Sequence, residues 1–288
     1  MRFEYCDVAS LDEAVSLLGQ YGDEAHVLAG GTDLLPMAKE ERLSPRYLID
    51  IKPIQGMGQI TWDARTGMRI GALATIRDLE RSPLVFDKAP AVARAAHLLG
   101  SVQIRNRATV GGNVCQAVPS AEMPPPLIAL GAIARVFGPN GYRTIPLEEL
   151  FTGPRRTSLH RQEIMTDLQV PEMDGNTGSA YLRFSPRKAM DLAIASAATM
   201  VRLEDGRCVD CRIVLGAVAP TPLRAIKAEE SLKGERLEDG VIDRAAGLAA
   251  AEATPISDIR ASAEYRRELV KVLVRRALLQ SIRTDGVQ

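Results

Sequence analysis

The stretch Leu28-Ala29-Gly30-Gly31-Thr32-Asp33-Leu34-Leu35-Pro36 decides how this chain is to be read. Val27-Leu28-Ala29 is a short apolar run that suits a buried strand, and it passes directly into two glycines. Consecutive glycines let a backbone turn tightly and present successive N–H groups. Thr32 or Asp33 then stands where it can cap a short helix containing Leu34 and Leu35. N–H groups gathered at such a turn form a site for an anion, a phosphate or pyrophosphate among them. Thr109-Val110-Gly111-Gly112-Asn113 repeats the pattern. Either pair alone is equally an ordinary glycine turn; two at strand-to-loop junctions are more specific. The patterns G-x-G-x-x-G and G-x-x-x-x-G-K-[ST] are absent, so the chain is neither an obvious Rossmann dinucleotide binder nor a P-loop NTPase.

Working outward, Ser10-Leu11-Asp12-Glu13 has the form of a capping box. The stripe Leu11, Ala14, Val15, Leu17, Leu18 predicts a helix that stops near Gly22. Tyr47 to Ile51 reads as a second short strand. Thr61–Asp63 and Met68–Ala72 read as a hairpin turned at Arg65-Thr66-Gly67. Ala91 to Leu99 reads as a helix stopped by Gly100, and Pro124-Pro125-Pro126 crowd the first turn of another. Gly138-Pro139-Asn140-Gly141 marks a second hairpin. Ile164 to Val170 is a strand closed by Pro171. The turn cluster Asp174-Gly175-Asn176-Thr177-Gly178 sets a domain boundary. Beyond it come three strand-like runs, Ser179–Ser185, Ala193–Leu203 and Cys208–Val218. Helices are expected over Leu223–Leu232, Gly240–Ala253 and Ala261–Ile282, the last with an apolar face of Leu269, Val270, Leu273, Val274, Ala277 and Leu278.

Composition excludes several function classes. Among 288 residues, Lys+Arg and Asp+Glu number 36 each, so the basic excess that nucleic-acid binding needs is missing. Little attraction to anionic membranes follows from the same balance. No run reaches about 18 consecutive apolar residues, so no membrane span is expected. Met1-Arg2-Phe3-Glu4-Tyr5 lacks the start of a signal peptide, which predicts a cytoplasmic chain. The cysteines Cys6, Cys115, Cys208 and Cys211 are scattered, unlike a disulfide framework. The histidines His26, His97 and His160 lie far apart in sequence, so no metal site or histidine-based triad is expected. Cys208-x-x-Cys211 lacks a second pair or nearby histidine. On a strand, residues three apart point to opposite faces, so no functional pair is expected there.

The two glycine motifs with their flanks resemble the flavin motifs of one family, the FAD-binding (medium) subunits of molybdenum hydroxylases. This is the xanthine dehydrogenase family, of which the carbon monoxide dehydrogenase medium subunit is a type. The resemblance covers essentially the whole chain. Arg105-Asn106-Arg107 precedes the second motif and Pro119-Ser120-Ala121-Glu122 follows it. Arg187-Lys188-Ala189-Met190-Asp191 opens the C-terminal sheet, and Leu215-Gly216-Ala217-Val218-Ala219-Pro220 closes it.

The resemblance implies an α+β chain. A two-part FAD-binding domain of the vanillyl-alcohol-oxidase (PCMH) type spans 1–175, with subdomains of about 1–55 and 56–175. A C-terminal domain over 176–288 then has a three-stranded antiparallel sheet and a helical bundle. The resemblance further implies that Leu28, Ala29, Gly30, Gly31, Thr32 and Asp33 wrap the FAD pyrophosphate. Val110, Gly111, Gly112 and Asn113, with Gln116, form the opposite wall, and Glu122 bonds the adenosine ribose. Ile164 and Met165 cover the isoalloxazine. Arg183, Arg187 and Lys188 form a basic segment near it that favours an anionic reduced flavin, or else a solvated basic turn. His26 does not match a covalent flavin attachment site. FAD is the expected cofactor of this chain, with molybdopterin in a large partner subunit and [2Fe–2S] clusters in a small one. A dimer of such heterotrimers is the expected assembly.

Three functions are open at this point: a flavin subunit that relays electrons from those clusters to an external acceptor, a self-contained flavin oxidoreductase acting on a small organic substrate, and a flavin-free assembly scaffold. Neither the substrate nor the final acceptor is readable from this chain.

Overall fold

The structure, a computed structural model, describes residues 2–187 and 189–282. Lys188 lies outside the described residues.

The N-terminal part is a three-stranded parallel sheet ordered Glu4–Asp7, Tyr47–Asp50, Ala25–Leu28. Helix Leu11–Tyr21 packs on it through Ala14, Val15 and Leu18. Ser10 Oγ accepts from the Glu13 N–H at 3.2 Å, as a cap should. The Glu13 carboxylate, however, accepts from the Ala9 N–H and not from that of Ser10, so the expected box closes one residue early.

Both hairpin turns form where the sequence puts them. Ile60–Asp63 pairs with Gly67–Gly71, and Ile133–Gly138 with Gly141–Pro146. Ile164–Val170 joins the two hairpins at the centre of one five-stranded antiparallel sheet. It is buried along nearly its whole length, and its two buried polar residues are paired, Thr166 with Asp167 and Asp167 with Arg69. Helix Pro90–Leu98, rich in alanine, and helix Pro124–Ala129 pack beside it in the same core.

The C-terminal sheet has four strands, a correction to the expected three. Their order is Thr177–Phe184, Ala195–Glu204, Arg207–Gly216, Leu223–Arg224. Leu223 and Arg224, expected at a helix start, pair instead with Leu215 and Val214, and the helix runs only from Ile226 to Glu230. Pro222 disfavours helical geometry at the residue before it, and the Ala225 N–H donates to the Ile213 carbonyl, which keeps the chain extended.

This sheet serves two cores. Tyr181, Ala198, Met200 and Val214 face the first, with the layers that carry the two glycine motifs. Ala195, Ala197, Val201, Ile213 and Leu215 face helices Asp239–Glu252 and Ala263–Ile282. The last helix buries Leu269, Val270, Leu273, Val274, Ala277 and Leu278, the face its sequence predicts.

A second correction concerns the cysteines. Cys208 pairs with Leu203 and Asp210 with Arg202, leaving Val209 as an extra residue. This β-bulge turns Cys208 and Cys211 to the same inner face, both fully buried. Among the described residues no helix is long and apolar enough to cross a membrane.

Candidate functional site

One cavity of about 840 Å³ lies where the three layers meet. That is a size suited to a large cofactor. Ala29, Gly30, Gly31, Thr32 and Asp33 line one side of it. Gly111, Gly112, Asn113, Gln116, Glu122, Ile164, Met165 and Arg183 line the rest. Leu28 and Val110, expected with them, do not: both are buried behind this cavity's lining. Leu28 ends strand Ala25–Leu28 and Val110 begins helix Val110–Cys115, and each side chain is buried in the protein interior.

The two glycine motifs differ in what their backbones offer. Among the described residues, the N–H groups of Gly30, Gly31, Thr32 and Asp33 donate to no protein acceptor. They are four free donors on one loop at the cavity wall. Asp33 occupies the position before helix Leu34–Lys39, but its side chain makes no capping bond, contrary to expectation. Gly31 has φ +73°, open to glycine at little cost. A Cβ on Gly30 would stand 2.0 Å from the Arg107 carbonyl oxygen, so the loop can lie against the Arg107–Ala108 backbone only as glycine.

The second motif has spent its donors. The N–H groups of Val110 and Gly111 go to the Ala74 and Ala72 carbonyls, and Asn113 N–H goes to the Thr109 carbonyl. Gly112 N–H goes to Thr109 Oγ1 at 3.1 Å, capping helix Val110–Cys115. A Cβ on Gly111 would meet Ala72 Cβ at 2.7 Å. This motif is therefore a closely packed wall, not the second anion loop that symmetry of sequence suggested. Asn113 Oδ1 accepts from the Met123 N–H at 3.2 Å and so ties the wall to the segment carrying Glu122.

Glu122 joins the two halves of the chain. Its carboxylate accepts from the Tyr181 hydroxyl on one oxygen and from Arg183 Nη1 on the other. Burial pushes the Glu122 carboxyl above its usual range, against the pull of Arg183 and Tyr181. Burial, with Glu122 beside it, pushes the Tyr181 hydroxyl well up. Arg183 Nη1 also donates to the Asp191 carbonyl at 3.2 Å, whereas its Nη2 is buried with no partner. His26 Nδ1 is a second buried, unpartnered polar atom on the cavity lining. Burial lowers the pKa of this imidazole, which favours its neutral form.

Unpaired donors and acceptors aimed at a roomy cavity are costly unless a polar ligand completes them. With the free N–H groups of the first loop and the glycine-only close approaches, they fit a bound nucleotide cofactor carrying a pyrophosphate.

Several lining residues were not legible in advance. Leu99, Gly100, Ser101 and Ile104 make an apolar wall, fixed by Arg105, whose Nη1 donates to the Leu99 carbonyl at 3.0 Å. Met190, Leu192 and Arg260 border the mouth. Arg187 lies there too, hydrogen-bonded to Asp191. Tyr181 could have been suspected only from its alternation with Arg183 on one strand.

Comparison with known proteins agrees with this geometry. Residues 1–173 match the FAD binding domain in molybdopterin dehydrogenase, and residues 180–281 match the CO dehydrogenase flavoprotein C-terminal domain. The chain is 38% identical to the carbon monoxide dehydrogenase medium chain of Hydrogenophaga pseudoflava, over 96% of each. It is 34% identical to the glyceraldehyde dehydrogenase medium chain of Sulfolobus acidocaldarius, over 96% of this chain and 97% of that one. Among solved structures, carbon monoxide dehydrogenase from Hydrogenophaga pseudoflava superposes with a TM-score of 0.94, covering 98% of this chain and 97% of that one at 38% identity. Quinoline 2-oxidoreductase from Pseudomonas putida 86 does so with a TM-score of 0.93, covering 100% and 99% at 28% identity.

Proposed function

The chain belongs to the family of FAD-binding medium subunits of molybdenum hydroxylases, and from that premise we propose which of its residues hold FAD and how they serve electron transfer. The observation that carries the assignment is the loop Gly30–Asp33, whose four free N–H groups face a cavity closed on its other side by Gly111 and Gly112.

In this reading the Gly30–Asp33 donors bind the pyrophosphate, and Gly31 supplies the turn that aligns them. Gly111 and Gly112 let the opposite wall come close, and Asn113 presents its side-chain amide there. Glu122 offers its remaining lone pairs to a ribose hydroxyl while Tyr181 and Arg183 hold it in place. Ile164, Met165, Leu99 and Ile104 supply the apolar surface that excludes water from an aromatic ring. Arg183, with its unpaired Nη2, keeps a positive charge on the wall. FAD, when bound, supplies a carrier that accepts electrons one at a time and delivers them in pairs.

The electrons come from the [2Fe–2S] clusters of a small partner subunit. The substrate is oxidised at a molybdopterin centre in a large one. Two such three-subunit units pair in the assembly we propose, and the site of action is the cytoplasm. The division between FAD-binding and C-terminal domains falls near residue 175, at the turn between strands Ile164–Val170 and Thr177–Phe184.

The test is reconstitution. The flavin-free chain titrated with FAD should bind one equivalent and quench its fluorescence, and Gly30→Val should abolish the uptake while circular dichroism keeps its shape. A folded wild-type chain that takes up no FAD overturns the assignment.

A further inference from the structure

The mouth of the cavity lies between two apolar lips. Leu99 and Ile104 form one, and Ile104, on the short helix Val102–Arg105, is 37% exposed. Met190 and Leu192 form the other, at 66% and 46% exposed. The lips belong together: helix Pro90–Leu98, which leads into the first, packs on strand Thr177–Phe184, which leads toward the second. Single apolar side chains on a surface need no explanation, but a group of them around the opening of a ligand cavity does.

The second lip is built to hold its side chains out. The Asp191 carboxylate accepts from the Arg187 N–H at 3.1 Å, from Arg187 Nε at 3.3 Å and from the Leu192 N–H at 3.0 Å. Arg187 Nη2 donates to the Met190 carbonyl at 3.1 Å. Met190 itself stands at φ +54°, a left-handed backbone that costs an ordinary residue about 1–2 kcal/mol. Asn or Gly would occupy that position more easily, so neither backbone preference nor burial accounts for a methionine there. The same bonds tie the Arg187 guanidinium to its own loop instead of offering it to an anionic ligand.

We propose that this mouth is where the external electron acceptor docks, and that the acceptor is a quinone, whose flat uncharged ring lies between Ile104 and the pair Met190 and Leu192. The proposal rests on the reading that the cavity holds FAD. A cluster carried by a partner protein passes single electrons through a wall without touching the flavin. A quinone takes up protons as well as electrons, so it has to reach the flavin ring, and an open apolar mouth admits it. Two electrons and two protons pass: FADH2 becomes FAD, and the two carbonyls of the quinone become the two hydroxyls of the hydroquinone. A dinucleotide acceptor would instead carry two phosphate charges between the apolar lips, at a desolvation cost they do not offset.

Three proteins separate the acceptor from the cofactor: wild type, the double variant Met190→Asn with Leu192→Asn, and the apolar double variant Met190→Leu with Leu192→Met. Asn tolerates the left-handed backbone at position 190, so the first variant keeps the fold. Each is loaded with FAD, and the bound flavin is measured by absorbance. Ubiquinone carrying one isoprene unit is then titrated calorimetrically into the oxidised proteins, which reads binding without turnover. Its dissociation constant should rise about ten-fold or more in the Asn pair and stay within about two-fold of wild type in the apolar pair. After anaerobic reduction with dithionite, reoxidation by the same quinone should slow in the same order, while reoxidation by ferricyanide, which needs no docking, keeps its rate. Full FAD occupancy with equal quinone affinity in all three proteins overturns the proposal and leaves the FAD site standing. So does an FAD-loaded wild type that binds no quinone, or one reoxidised by NAD and not by the quinone. A wild type that takes up no FAD overturns both readings.

Discussion

Arg183, on the first strand of the C-terminal sheet, and Glu122, at the end of the second glycine segment, form an ion pair with side-chain exposures of only 3% and 7%. Their contact closes the cavity from the C-terminal side and couples the two cores across the shared sheet. Removing one partner of such a pair leaves a buried charge alone and costs about 3–5 kcal/mol, while replacing both is often nearly neutral.

Glu122→Gln and Arg183→Met should therefore each lower the stability of the flavin-free chain by about 3–5 kcal/mol. The double variant should lose much less than the sum. Urea denaturation of all four proteins measures the coupling. Costs that add to within about 0.5 kcal/mol would mean that the two side chains act independently.

The glycine positions separate packing from ligand approach. Gly30→Ala would drive a Cβ to 2.0 Å from the Arg107 carbonyl oxygen, a backbone atom with no freedom to yield. Gly31→Ala retains space near the flexible Leu35 side chain but meets the positive φ, at about 1–2 kcal/mol. Loss of FAD should be complete in the first variant and partial in the second. Fluorescence titration with FAD, read beside the melting temperature without it, checks the order. Equal affinities in both variants and wild type would remove this loop from the site.

Acid should weaken the apolar wall through Glu80. Its carboxylate accepts from Arg77 at 2.6 Å and Arg105 at 2.8 Å, and His97 Nδ1 lies 3.0 Å away. Burial works to raise the carboxyl, but these partners outweigh it and hold it below its ordinary 4.5. Folding thus favours the ionised form. The stabilisation is present above about pH 4.5 and is lost as pH falls through the lower folded value. The urea midpoint should drop in that window, and Glu80→Gln should remove that part of the slope. An unchanged acid profile in Glu80→Gln would show that the cluster contributes nothing to acid sensitivity.

The pattern of what the sequence could convey follows from the range of the forces involved. Hairpins at Arg65–Gly67 and Gly138–Gly141, the Ser10 cap and the Gly30-Gly31 turn are fixed by residues within a few positions of each other, and each stands where local chemistry puts it. The bulge at Val209 depends on how the neighbouring strand Ala195–Glu204 registers, and no residue near Cys208 announces it. The second glycine motif resembles the first in sequence but differs in role, because the acceptors that take up the Val110 and Gly111 N–H groups, Ala74 and Ala72, lie nearly forty residues upstream. Glu122 was legible as a site residue, but Tyr181 and Arg183 reach it from about sixty residues away.

Asn113 offers the cleanest division between fold and ligand. Its Oδ1 accepts from the Met123 N–H, and it borders the cavity. Asn113→Asp keeps the acceptor and the shape, so the bond to Met123 and the wall should survive. The change removes two side-chain N–H donors and puts a negative charge opposite the pyrophosphate loop. Stability without FAD should therefore stay within about 0.5 kcal/mol of wild type. The FAD dissociation constant should rise by roughly ten-fold or more, about 1.4 kcal/mol. Raising the salt concentration should recover part of the loss, since the added repulsion is electrostatic and screened. Unchanged affinity in Asn113→Asp would place the amide away from the nucleotide and leave it only its bond to Met123.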